Sequence, residues 1–111
     1  MAAAPASADN YGGVSAATKA KVMQEVRRYK GWDPSRIACI IGRESGFNPK
    51  AVNWRDSNGG SHGLGQINGI HRYAFREVWH LRYTIRGGIQ MMYRLWRASG
   101  YSPWGGGSYR C

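Results

Sequence analysis

Acidic residues are scarce in this chain. Six Asp and Glu stand against 16 Lys and Arg over 111 residues, which leaves a formal charge of +10. Such a surplus points to a polyanionic partner: nucleic acid, an anionic membrane face, or a bacterial envelope rich in acidic polymers. No apolar run approaches the ~20 residues that a spanning helix needs, so no membrane insertion is expected. The three histidines, His62, His71 and His80, have no short ligand spacing and no cysteine or carboxylate cluster around them, so neither a metal nor any other cofactor is expected. G-x-S-x-G, a phosphate loop and a Cys-His nucleophile pattern are all missing, as are repeats, heptads and linkers. Helix-turn-helix, zinc and RNP-type signatures are missing too, which argues against a nucleic-acid partner.

What is present suffices for one modest core, with 42% hydrophobic residues in a length suited to a single domain. Residues 1–13 read as a flexible leader rich in Ala, Pro and Ser. Its Ala6-Ser7-Ala8 resembles the end of a secretory signal, and a leader without that history reads equally well. Residues 14–111 read as the folded, monomeric domain. A bridge between Cys39 and Cys111, the only two cysteines, would close a loop of roughly 70 residues, add ~4 kcal/mol and imply an oxidising compartment. The alternative is a buried thiol at Cys39 and a dangling one at Cys111, and the bridge is expected over it.

Three helices are predicted. Ser15 caps the first, which runs to about Lys30 with Val22, Val26 and Tyr29 inward and Lys19, Arg27, Arg28 and Lys30 largely outward. Asp33 as N-cap and Pro34 at the first helical position start the second, and Gly46 stops it in a left-handed conformation. Thr84 caps the third, which buries Ile85, Ile89, Met92 and Trp96 and ends at Gly100. Gly87-Gly88 within it predicts close packing or a ligand wall. Between the second and third lie a polar stretch with a hairpin signal at Asn58-Gly59, a glycine-studded segment Gly63–Gly69, and a helical stripe of Phe75, Val78 and Trp79. Trp104 must pack, or Cys111 be bridged, for the tail to be held.

Elimination among the carboxylates isolates one pair. Asp9 is in the leader, Glu25 on a surface helix, Asp33 a cap, and Glu77 among arginines. Glu44, however, follows Ile37, Ile40 and Ile41 at i+7 on the apolar face of the second helix, in its last turn. Burial and the negative end of the helix dipole both favour its protonated form, which is what a general acid must supply. Asp56, twelve residues later in a polar loop, is the other acid nearby. The pair reads as a protonated acid with an ionised partner, or as a Glu44 paired to an arginine beside an Asp56 that caps a turn.

The string Glu44-Ser45-Gly46-Phe47-Asn48-Pro49-Lys50-Ala51-Val52-Asn53, followed by Gly63-Leu64-Gly65-Gln66-Ile67-Asn68, resembles the two signature motifs of lytic transglycosylases and goose-type lysozymes. Gly100-Tyr101-Ser102-Pro103-Trp104 resembles the end of small actinobacterial and phage members. The resemblance implies a mostly helical α+β, lysozyme-like domain with a small loop or hairpin beside its cleft. It implies cleavage of the β-1,4 bond between N-acetylmuramic acid and N-acetylglucosamine in peptidoglycan strands, outside the cytoplasm or delivered to the wall by a phage.

Glu44 falls on the family's catalytic acid, with Asp56 as a second catalytic candidate. Ser45, Ser61, Gly63, Leu64, Gln66 and Asn68 are expected to bind substrate, and Tyr93 with them although it stands about two residues late for its motif. Gly65 replaces a common methionine, which is expected to widen one wall of the cleft. The competing readings are a glycan-binding module without catalysis and, behind it, a basic nucleic-acid-binding domain.

Overall fold

A computed structural model describes residues 14–106 and Cys111. The leader expected over residues 1–13 lies outside the described residues. Three helices, α1 (Ala16–Val26), α2 (Pro34–Ser45) and α3 (Ile85–Ser99), enclose the core, and a three-stranded antiparallel sheet of β1 (Val52–Asn53), β2 (Ser61–His62) and β3 (Ile67–Asn68) is inserted between α2 and α3. This is the α+β, mostly helical lysozyme-like architecture that the sequence predicts.

Each helix begins where its cap residue stands. The side chains of Ser15, Asp33 and Thr84 accept from the backbone N–H groups of Thr18, Ser35 and Gly87, satisfying donors that have no intrahelical partner. Gly46 ends α2 in the left-handed region at φ 59° and donates to the Gly42 carbonyl. Helix α1 stops at Val26, earlier than the expected Lys30, because Arg28 and Tyr29 switch to i→i−3 bonds onto Glu25 and Val26. Lys19, Arg27, Arg28 and Lys30 all face solvent, as expected.

Val22 and Val26 of α1, Ile37, Ile40 and Ile41 of α2, and Ile89, Met91, Met92 and Leu95 of α3 meet in one core with Leu64, Ile67, Phe75, Trp79 and Trp104. Gly87 and Gly88 are there for packing. A Cβ on Gly87 would strike the Leu81 carbonyl, and Gly88 lies against the Leu64 side chain. Between α1 and α3, the rings of Tyr29, Trp32, Tyr93 and Trp96 pack together. The tail is held at both points named from the sequence. Trp104 is buried with its indole N–H donating to the Gly65 carbonyl at 2.9 Å, and Cys111 is disulfide-bonded to Cys39.

The segment from Gly69 to Thr84 departs from expectation. In place of one helix carrying Phe75, Val78 and Trp79, it forms a chain of tight turns with 3-10 turns at Gly69–His71 and Trp79–Leu81. Most of its backbone bonds run i→i−3, among them Arg76 to Tyr73, Val78 to Phe75 and Leu81 to Val78. Phe75 and Trp79 still reach the core, but a stripe of three residues is too short to sustain α-helical propagation.

Candidate active site

Glu44 is placed by the features that define α2. The helix period sets it one turn beyond Ile40 and Ile41, and Gly46 closes the helix two residues later. Its side chain is 2% exposed. Burial raises its pKa from the ordinary value of 4.5 to about 8; the charge of Asp56 adds to the rise and that of Arg43 opposes it. Glu44 is therefore a carboxylic acid at neutral pH, and Asp56 is near enough for its charge to be felt there.

Asp56 sits in the loop between β1 and β2. Its Oδ2 accepts from the Ser61 hydroxyl at 2.6 Å, and its Oδ1 accepts from the Asn53 amide at 3.3 Å. The strand register explains this cluster. Asn53 pairs with Ser61, and Ser61 with Asn68, so the three side chains share one face of the sheet. Asn68 donates to the Ser61 hydroxyl at 3.2 Å and to the backbone carbonyls of Ser57 and Gly60. Its Oδ1 accepts from the Ile70 N–H and from Asn58. Asn68 thus ties the hairpin loop to the segment after β3, and Asn53 joins the polar cluster as a member that sequence reading missed.

The other predicted binding residues are held largely through the backbone. Gly63 has φ 75°, and a Cβ there would strike the Arg82 carbonyl. Its N–H donates to Ala51 at 2.7 Å. Gln66 is buried in a left-handed conformation, φ 51°, and its amide donates to the carbonyls of Ala51 and Gly63. Phe47, three residues after Glu44, is also left-handed, φ 67°. Each motif thus carries one non-glycine residue in a conformation that costs ~1 kcal/mol or more and is tolerated where surrounding bonds enforce it.

Leu64 is a core residue, and Ser45 is buried with its hydroxyl donating to the Ile41 carbonyl. Tyr93 donates from its hydroxyl to the Lys30 carbonyl at 2.8 Å and packs in the aromatic cluster between α1 and α3, which gives it a packing role. Gly65 does not widen the cleft. A Cβ there would meet Met92 Sδ at 2.7 Å, so a methionine of α3 already fills the space behind it. Nothing in the sequence near Gly65 announces this, because the two residues are brought together only by the packing of α3 on β3.

The family model of the Transglycosylase SLT domain matches residues 21–95, which run from the middle of α1 through most of α3 and include every residue of the site just described. The chain belongs to the SLT transglycosylase family. Comparisons with curated proteins and with solved structures returned no match. Membership of the SLT family carries lytic transglycosylase activity on peptidoglycan as its general function. The disulfide fits action outside the cytoplasm. Among the described residues no helix is long and apolar enough to cross a membrane.

Proposed function

We propose that this SLT domain cleaves the β-1,4 bond between N-acetylmuramic acid and N-acetylglucosamine, with Glu44 as the single acid and base. The observation that carries the reading is a carboxyl buried in the last turn of α2, where loss of solvent pushes its pKa up to about 8. Glu44 donates its proton to the glycosidic oxygen, the C1–O bond breaks, and positive charge develops at the muramoyl C1. The muramoyl C6 hydroxyl then closes on C1 and returns a proton to the Glu44 carboxylate, giving a 1,6-anhydro end. This route needs no second carboxylate.

Clearing of purified walls tests the acid role. Activity is expected to hold across neutral pH and to fall as pH rises through about 8, where Glu44 loses its proton. A glycan-binding module would coat the walls without clearing them at any pH. Clearing with no alkaline fall near 8 contradicts the assignment of Glu44 as acid.

Asp56 is assigned a positioning role. Its carboxylate organises Asn53 and Ser61, and its charge helps to keep Glu44 protonated. Asp56→Asn keeps the side-chain volume and one of the two acceptor oxygens but removes the charge. The variant is therefore expected to release the same anhydro-muropeptides as the parent, with its alkaline limb displaced to lower pH. If the parent instead makes reducing ends and Asp56→Asn abolishes them while wall binding persists, Asp56 orients an attacking water and the enzyme is a hydrolase.

A further inference from the structure

On the sheet face opposite Asp56, a cavity of about 290 Å³ is lined by Trp54, His62, Arg72, Trp79 and Arg82, with Asn58, Gly59 and Gly69 at its rim. Strand alternation separates it from the candidate active site, since Ser61 points toward Asp56 and the next residue, His62, points the other way. The volume is at the lower end of those that ligand pockets occupy, ~300 Å³. Trp54 is 68% exposed, which is unusual for so large an apolar side chain, and meets the His62 ring edge-on, as does Trp79.

His62 is fixed in turn. Its Nε2 lies 2.9 Å from the Gly59 carbonyl, which can only accept, so Nε2 carries the proton and Nδ1 accepts from the Tyr83 hydroxyl at 2.6 Å.

The charge in this cavity is positive and unopposed. No acidic side chain lines it, and the ion pairs among the described residues involve Arg28 and Arg94, not Arg72 or Arg82. The Arg82 guanidinium lies over the rings of Trp79 and Tyr83 and donates to the Trp79 carbonyl at 2.9 Å, so its orientation is set before any ligand arrives. Its Nε is buried and has no hydrogen-bond partner, a donor that is costly to leave unused. A Cβ on Gly69 would strike the Asn58 carbonyl, so glycine there lets the hairpin loop close against the segment after β3, while at Gly59 the space around the backbone is open.

We propose that this cavity binds a sugar ring bearing an oxyanion, with the apolar face of the ring on Trp54 and the anion on Arg72 and Arg82. Arg recognises carboxylate and phosphate through the same planar fork, and aromatic side chains supply a large apolar surface. In a cell wall the anion has two sources, the lactyl carboxylate of muramic acid and the phosphate of a sugar-phosphate polymer. The inference rests on the peptidoglycan reading and extends it to a second contact with the wall, away from the scissile bond.

The test uses the whole chain, labelled with ¹⁵N, and three monosaccharides: neutral N-acetylglucosamine, N-acetylmuramic acid, and N-acetylglucosamine 6-phosphate. Both anionic sugars are expected to move the indole N–H signals of Trp54 and Trp79 and the Nε–H signal of Arg82. Each should bind at least ~tenfold more tightly than the neutral sugar, the scale of one charge-assisted hydrogen bond. The tighter of the two names the source of the anion.

Arg72 is exposed, so Arg72→Gln leaves the fold intact and should weaken anionic binding about tenfold while leaving the neutral sugar unaffected. Equal affinity for all three sugars, signals that stay in place, or unchanged binding in Arg72→Gln each overturns the proposal. None of the probes has a glycosidic bond to cut. Binding here and the loss or presence of wall cleavage are therefore read separately.

Discussion

Glu44→Gln is expected to bind cell walls as the parent does and to clear them at least ~10²-fold more slowly, the scale on which a general acid contributes. The amide has the shape of the carboxylic acid and has no proton to give. A structural defect would also slow clearing, so the pH dependence of stability separates the two causes.

In the folded parent the Glu44 pKa is raised to about 8, against 4.5 for an ordinary glutamate. Well below pH 4.5 both the folded and the unfolded chain hold the proton, and Glu44 costs nothing. Between 4.5 and 8 the unfolded chain releases the proton while the folded chain keeps it, so stability falls as pH rises. Above 8 the folded chain carries a buried carboxylate and the penalty reaches its plateau of a few kcal/mol. Glu44→Gln is free of this penalty. Its melting temperature should match that of the parent well below pH 4.5 and exceed it increasingly up to pH 8. Variant and parent melting together at all pH values would show that Glu44 is not the buried acid described.

Reduction of the Cys39–Cys111 bridge carries the largest expected loss of stability. The bridge joins α2, five residues before Glu44, to the last residue of the chain across a sequence separation of 72. On the chain-entropy model, opening such a loop costs ~4 kcal/mol. For a domain of this size that corresponds to a fall in Tm on the order of 15 °C. The first contact to loosen should be that of Trp104, whose indole N–H bond to Gly65 is the tail's anchor behind β3. Thermal unfolding with and without reductant, followed by exchange of the Trp104 indole proton, measures both effects. Two thiols alkylated in the unreduced protein would contradict the bridge.

The parts of the fold that were legible in the sequence are those set by local chemistry. Asp33, Pro34 and Gly46 bound α2 where their backbone preferences require, and the spacing Ile37, Ile40, Ile41, Glu44 names its buried face, acid included. The same holds for Ser15 and Thr84 as caps, for Asn58-Gly59 at the hairpin, where both residues adopt positive φ, and for the close packing at Gly87-Gly88.

What was not legible depends on residues distant in sequence. The Gly69–Thr84 segment has apolar residues at helical spacing, yet tertiary anchoring of Phe75 and Trp79 with i→i−3 turns prevails over a helix. Gly65 reads as an opening in the cleft until Met92 of α3 is seen to fill it. Nothing in the sequence places the Tyr93 ring among Tyr29, Trp32 and Trp96, because that cluster forms only where α1 and α3 pack. The Trp54–Trp79–Arg82 cavity assembles a hairpin and a turn that no motif links.

Mass spectrometry of material released from one wall preparation by the parent and by Glu44→Gln decides whether Glu44 cleaves the glycan strand. Disaccharide-peptides with 1,6-anhydromuramoyl ends are expected from the parent and only a trace from the variant. Peptide fragments without cut glycan, or the same anhydro products in equal yield from both proteins, would contradict cleavage by Glu44.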